Sequence, residues 1–266
     1  MPDRVTYVGH STVLIEIGGR RLLTDPLLGR RVAHLRRHGT PADPAVAQDL
    51  DAVLLSHLHH DHLDRSSLRR IARDTPVILP AGAGRYVRRL GFARVTELKA
   101  GESTTVGGLP VAATLAVHDG RRHPRARWAE AIGFMVGGAV TGATGAATTA
   151  TPRVYFAGDT DLFDGMEELA GADLALVPVW GWGPNLGADH LDPRRAAEAL
   201  AMLAPRVAVP IHWGTFFPHG LARLLGRVLR EPPLEFARHA GDLAPRVRVE
   251  VLQPGEALDL EAEAEA

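Results

Sequence analysis

The chain contains no cysteine, which excludes disulfides, thiolate metal sites and cysteine nucleophiles together. Any metal it binds must be held by nitrogen and oxygen. Neither charge sign is in excess, with 30 basic against 31 acidic residues, so there is no global electrostatic case for nucleic acid as a partner. The local pairs Arg30-Arg31 and Arg121-Arg122 read as solvated surface. No apolar run approaches the ~20 residues that span a bilayer. Met1 to Val5 leads directly into strand-like sequence without the charged-then-apolar pattern of a signal peptide. These absences lead to the expectation of a cytoplasmic protein with no stable membrane insertion. There is no clear internal repeat, and oligomeric state has no signature here.

At 266 residues and 45% hydrophobic content, the chain can bury a large core, and one α/β domain over residues 1–260 is expected. Short β-type runs at 5–8, 13–17 and 21–24 open it as a meander, with Gly18-Gly19 as a hairpin turn. Residues 28–50 read as irregular. Further strands are expected at 52–55, 76–79, 94–98, 106–117, 132–136, 154–157, 174–177, 207–209 and 247–251. Helices are expected at 66–73, 85–90, 193–203 and 221–229, the third with Asp192 as N-cap and Pro193 at its start. Residues 137–152 are Gly, Ala and Thr almost throughout and read as a flexible loop, and 261–266 as a frayed tail. The pattern fits two packed sheets covered by helices on the outside.

What the chain does have is His57-Leu58-His59-His60-Asp61-His62, directly after the apolar run Ala52 to Leu55 and Ser56. Four imidazoles and a carboxylate this close together are costly to bury, so a fold needing only a turn would not use them. Histidine suits borderline cations such as zinc, and carboxylate oxygen completes the set when more than one is held. The spacing gives His57 with His59 as one pair and Asp61 with His62 as another. His60 falls between the pairs and is expected to face solvent or to support a ligand.

Other apolar strands end the same way: 111–117 before His118, 154–157 before Gly158-Asp159, and 207–211 before His212. Rigid strands that end on one sheet edge collect their loops there. Together, His57, His59 and His118 make a three-nitrogen site, Asp61, His62 and His212 make a second, and Asp159 can bridge two ions. Two divalent cations, one shared hydroxide and the carboxylates Asp61 and Asp159 sum to about +1, a charge that attracts an anionic small-molecule substrate. Zinc is the expected metal, with manganese or iron also compatible with such ligands.

The sequence resembles the metallo-β-lactamase superfamily through this loop. Within it, the sequence is similar to the N-acyl-phosphatidylethanolamine phospholipase D group, its bacterial relatives and, more distantly, the ascorbate-6-phosphate lactonases. The stretches that carry the likeness are Gly9-His10-Ser11-Thr12-Val13, Leu23-Thr24-Asp25-Pro26, Ser56 to Asp64, Tyr155 to Thr160, His190-Leu191-Asp192-Pro193 and Ile211 to Phe216. The resemblance implies a four-layer αββα sandwich. It implies a dinuclear zinc centre at His57, His59, Asp61, His62, His118, Asp159 and His212, with Asp25 buttressing the histidine loop. It implies hydrolysis by a metal-bridging hydroxide, of a phosphodiester, another ester or a lactone, with Asp61 and His190 as catalytic residues. It assigns His10 no chemistry. The chain departs from the phospholipase around His118 and after Thr160, and its aromatic content is only 5%, which weakens the expectation of a membrane lipid substrate. The loop Trp180 to Pro184 reads as a pocket wall. Arg121, Arg122, His123 and Arg125 form a basic loop beside His118. The rival class is a mononuclear iron oxidoreductase on the same fold, which needs fewer ligands than are present.

Overall fold

A computed structural model describes residues 2–123, 129–141, 147–183, 186–187, 189–222 and 226–260. The opening meander is β1 (Arg4–Gly9), β2 (Thr12–Ile17) and β3 (Arg20–Thr24). Gly18 and Gly19 have φ of +56° and +70°, the left-handed conformation a two-residue hairpin turn requires and glycine adopts freely. A small hairpin, β4 (Arg31–Val32) and β5 (Leu35–Arg37), follows. Next come β6 (Ala52–Leu54), α1 (Arg65–Leu68), β7 (Val77–Pro80), α2 (Gly84–Arg88) and β8 (Val95–Leu98). The second half contains β9 (Ser103–Val106), β10 (Leu109–Leu115), β11 (Ile132–Thr141), β12 (Ala147–Phe156) and β13 (Leu174–Pro178). After these lie α3 (Pro193–Leu203), β14 (Val207–Ile211), β15 (Phe216–Pro218), α4 (Glu231–Leu243), β16 (Arg248–Val249) and β17 (Ala257–Asp259).

Two seven-stranded sheets are formed, in the orders β17-β1-β2-β3-β6-β7-β8 and β16-β14-β13-β12-β11-β10-β9. Side chains alternate across a sheet. In the first sheet Leu22, Ala52 and Leu54 join the core shared with the second, whereas Leu23, Val53 and Leu55 pack outward with Leu68 and Val87 of α1 and α2. Ala196 and Leu200 of α3 and Phe236 and Ala240 of α4 cover the second sheet. The architecture is the expected four-layer αββα sandwich. Strands buried on both faces are continuous apolar runs, which is why 52–55 and 174–177 stand out in the sequence.

Strand direction brings the ligands together. β3, β6, β7 and β8 are parallel neighbours, as are β12, β13 and β14. β10 runs the same way as β12, because each pairs antiparallel with β11. The C-terminal ends of these strands face one edge of the sandwich, where open α/β sheets place their ligands.

The expected loop over 137–152 is instead largely strand: 137–141 extends β11 and 147–152 begins β12, in register from Thr141 opposite Ala147 to Phe134 opposite Phe156. Backbone pairing continues the ladder where the composition carries no apolar alternation, with irregularities around Gly138. Residues 142–146 lie outside the described residues. The expected strand over 106–117 is broken by Gly107-Gly108, which turn β9 into β10. The segment 28–50 contains the β4–β5 hairpin and a short 3-10 turn at Pro44–Ala47. Of the helix expected at 221–229, residues 226–229 form a 3-10 turn and 223–225 are outside the described residues. Helix α4 and strand β17 have no counterpart in the sequence reading. The tail 261–266 is also outside the described residues.

Candidate metal centre

The histidine loop is held from below by its own apolar residues. Leu58 and Leu63 are 1% and 0% exposed. The loop closes as a turn, with His62 N and Leu63 N both donating to His59 O. Asp64 ends it by capping α1, accepting from Ser66 N and Ser67 N. Burying the leucines therefore fixes which way the polar residues between them face.

Two clusters result. In the first, His57 Nε2 lies 3.0 Å from His59 Nδ1, which lies 3.1 Å from His118 Nε2. In the second, His62 Nε2 lies 3.1 Å from His212 Nε2, and both are 3.7 Å from Asp61 Oδ2. Asp159 Oδ2 stands between them, 3.2 Å from His62 Nε2, 3.3 Å from His212 Nε2 and 4.0 Å from His57 Nε2. His190 Nε2 is 3.6 Å from the same oxygen. The seven residues read as ligands, and His190, are thus brought to one place from β6, β10, β12, β14 and the loop before α3.

The rings are oriented by their far nitrogens. Asp189 O accepts from His118 Nδ1 at 3.0 Å, Trp180 O from His212 Nδ1 at 2.7 Å, and Asp25 Oδ2 from His62 Nδ1 at 2.7 Å. His57 Nδ1 meets Ser56 Oγ at 3.0 Å, and that hydroxyl donates to Asp25 Oδ2 at 2.6 Å. With the proton on Nδ1, these four rings each present an Nε2 lone pair inward, whereas His59 turns its Nδ1 inward. Lone pairs 3.0 to 3.1 Å apart repel unless a cation lies between them. A tetrahedral zinc ion with bonds of about 2.0–2.1 Å holds its nitrogens roughly 3.3 Å apart, so the spacing fits. The buried Asp159 Oδ1 has no hydrogen-bond partner among the described residues, a further coordinating atom at the same place. The residues fit a metal.

Electrostatics agree. Burial, then the His62, His118 and His59 rings, hold His57 well below the ordinary histidine range, and burial followed by His118 lowers His59 to about 4. Burial also lowers His118. These rings are neutral, as ligands must be. Burial alone would lower His62 and raise the two carboxyls. Instead Asp159, Asp61 and Asp25 raise His62 well above its usual value. The surrounding histidines hold Asp61 and Asp159 well below theirs. A concentration of carboxylate this strong takes up positive charge, as a proton on His62 or as a cation in its place.

The backbone is strained here too. Seven described non-glycine residues have positive φ, and four of them, His10, Asp25, Asp189 and His212, touch the centre. Such conformations cost of order 1–3 kcal/mol each and cluster at functional sites. Gly158 is required by close approach: at φ +64°, a Cβ there would sit 2.7 Å from Ser56 Cβ.

Beside the centre is a cleft of about 470 Å³, lined by His59, Asp61, Asp159, Trp182, His190 and His212 among others. Gly181, Trp182 and Gly183 form part of its wall, where the sequence placed one. His60 is exposed and accepts from Arg122 at Nδ1. The basic loop is engaged locally: Arg121 pairs with Asp119, and Arg122 donates to Leu58 O at 3.1 Å. Arg125 is outside the described residues. The sequence reading left one participant out, His10, whose Nε2 lies 2.9 Å from Asp61 Oδ2. Its only sequence signal is the Gly-His-Ser-Thr stretch. Among the described residues no helix is long and apolar enough to cross a membrane.

Comparison with known proteins gives a consistent picture. A family model described as the beta-lactamase superfamily domain matches residues 20–213. A UPF0173 metal-dependent hydrolase of Rubrobacter xylanophilus is 33% identical over 96% of this chain and 96% of its own length. An N-acyl-phosphatidylethanolamine-hydrolyzing phospholipase D of Caenorhabditis elegans is 30% identical over 79% of this chain, which spans 64% of that protein. In fold, the chain matches the metallo hydrolase Igni18 of Ignicoccus hospitalis with a TM-score of 0.71 at 24% identity, over 99% of this chain and 100% of the other.

Proposed function

The chain belongs to the metallo-β-lactamase superfamily and is a metal-dependent hydrolase, and from that premise we propose that it uses two divalent ions to cleave an ester of a small anionic substrate, a phosphodiester before a lactone. The observation that carries this is the doubled ligand set: three nitrogens at His57, His59 and His118, and a second group at Asp61, His62 and His212, with Asp159 Oδ2 between them. A one-ion site, as in the iron oxidoreductase alternative, leaves one of these groups without a purpose.

Two zinc ions held by these residues would supply a water acidic enough to ionise near neutral pH and a Lewis acid for the scissile group. The protein's own residues do the rest. Asp61, at the cleft, orients the attacking water, whose proton passes to solvent as it ionises. The water oxygen bonds to phosphorus or carbon, and the bond to the leaving oxygen breaks. His190, with a side chain 23% exposed on the cleft wall, delivers a proton to that oxygen. Trp182 gives the cleft an apolar wall against which a substrate can be oriented.

The test is a panel of bis-aryl phosphodiesters, lactones and acyl esters assayed against enzyme of measured metal content. The reading predicts phosphodiester turnover that scales with metal content and falls by at least roughly 100-fold in His190→Ala, the usual range for a lost general acid. Turnover confined to lactones moves the assignment to the lactonase. Turnover of none of them, with both ions present, contradicts it.

A further inference from the structure

His10 is a fully buried imidazole at the centre to which the hydrolytic reading gives no task. It is 0% exposed, has a φ of +59° and follows Gly9 at φ +121°. The chain accepts a strained backbone to put an imidazole there. Its backbone is bound to the His212 loop in both directions: His10 N donates to Thr215 Oγ1 at 2.9 Å, and His10 O accepts from His212 N at 2.8 Å. Its ring lies against that of His212, with centroids 3.9 Å apart, and meets the edge of Phe216.

The hydrogen-bond inventory of the ring separates two roles. A ring nitrogen of His10 lies within 4.8 Å of potential ligand atoms of Asp61, His62 and His212, so it could itself bind an ion. Yet His57, His62, His118 and His212 each have Nδ1 backed by an oxygen acceptor, which fixes a ligand's tautomer. His10 Nδ1 is buried with no hydrogen-bond partner among the described residues. A ligating His10 would need its proton on Nδ1, stranded where none of the described residues accepts it. With the proton on Nε2, the ring donates to Asp61 Oδ2 at 2.9 Å, and the bare Nδ1 is the smaller burden.

We propose that His10 is a positioning residue: it donates Nε2–H to Asp61 Oδ2, and so holds that carboxylate in the His62–His212 half of the centre while its backbone holds the His212 loop. The proposal rests on the ligand reading above. It also gives the Gly-His-Ser-Thr stretch a physical purpose, since Gly9 has no room for a side chain: a Cβ there would stand 2.8 Å from Thr215.

The test compares zinc affinity, by competition with a chromophoric chelator, in the full-length wild-type chain, His10→Gln, His10→Phe, Asp61→Asn and the double variant His10→Phe/Asp61→Asn. Apo-protein thermal unfolding confirms that each is folded. The expected result is that His10→Phe weakens one of two ions by roughly 10–100-fold, as loss of an outer-shell partner does, and leaves the other unchanged. His10→Gln, whose amide can reach the same oxygen, recovers most of that loss even if His10→Phe folds poorly. The double variant is no worse than Asp61→Asn. Unchanged affinity in His10→Phe beside an impaired Asp61→Asn overturns the positioning role alone. Equal loss in His10→Gln and His10→Phe makes His10 a ligand and also overturns it. Unchanged affinity in Asp61→Asn itself refutes the ligand reading, and the positioning role with it.

Discussion

Asp25 Oδ2 accepts from His62 Nδ1 at 2.7 Å, and this 0% exposed carboxylate grips the head of the histidine loop at the same time. Its Oδ1 accepts from Ser56 N at 2.8 Å and its Oδ2 from Ser56 Oγ at 2.6 Å. One side chain thus sets the tautomer of His62 directly and that of His57 through the serine hydroxyl, reaching both clusters. The residue lies just beyond the end of β3, at φ +31°, so its own backbone is strained for the purpose.

Asp25→Asn should therefore weaken both ions. An amide keeps one accepting oxygen where Asp25 has two, so its NH2 would face a donor, either Ser56 N or the His62 ring with the serine hydroxyl. Zinc titration of the variant is expected to show a loss of roughly 10–100-fold in affinity. Unaltered affinity for both ions would remove Asp25 from the account.

The two clusters predict separable losses. His59→Ala should remove the ion held with His57 and His118, and His212→Ala the one held with His62 and Asp61. Elemental analysis after dialysis should find one ion in each variant and the double variant close to none. If either single variant empties the whole centre, the two halves do not bind independently.

Gly158→Ala tests the close approach of the Asp159 turn to Ser56. Positive φ and a Cβ 2.7 Å from Ser56 Cβ and 3.1 Å from Ile132 O leave no room for a methyl group. The expected cost is about 2–4 kcal/mol in chemical denaturation of the apo protein, with Asp159 displaced from its place between the clusters. Wild-type stability would mean that the turn yields easily.

Arg37 is a test of the support beneath the site. Its buried guanidinium donates to Gly29 O, Val8 O and Leu27 O, lies over the Phe216 ring at 4.8 Å, and has its pKa lowered by burial to about 10. It stays charged at neutral pH. A lysine cannot reproduce the planar fork, so Arg37→Lys should lose about 1–3 kcal/mol and Arg37→Met about 2–5 kcal/mol, measured in urea. Losses under half a kilocalorie would mean that the three carbonyls find other donors.

What the sequence revealed follows the range of the interactions concerned. The loop 57–62 is visible because its ligands are neighbours in the chain, and His118, Asp159 and His212 because each ends an apolar strand. His10 is named in the Gly-His-Ser-Thr stretch but given no chemistry, because its partner Asp61 is 51 positions away. Helix α4 has no counterpart in the sequence analysis; Pro232-Pro233 occupy its first turn, where proline is tolerated but the ordinary side-chain cap is missing. The arms of the β11–β12 hairpin carry so little apolar alternation that composition suggests a loop. Cross-strand backbone bonds, which composition does not record, make them strands.

The central claim is that this edge of the sandwich holds two metal ions per chain. Metal analysis of the purified chain, equilibrated with zinc and freed of excess, tests it most directly, with thermal unfolding recorded on the same samples. The account predicts two zinc ions per chain. With free zinc restored to a hundred times the dissociation constant, stabilisation should be about 2.7 kcal/mol for each ion and about 5.4 kcal/mol for two, or a rise in Tm of roughly 11–22 °C for a chain of this size. One ion per chain, or none, with an unchanged Tm would contradict it.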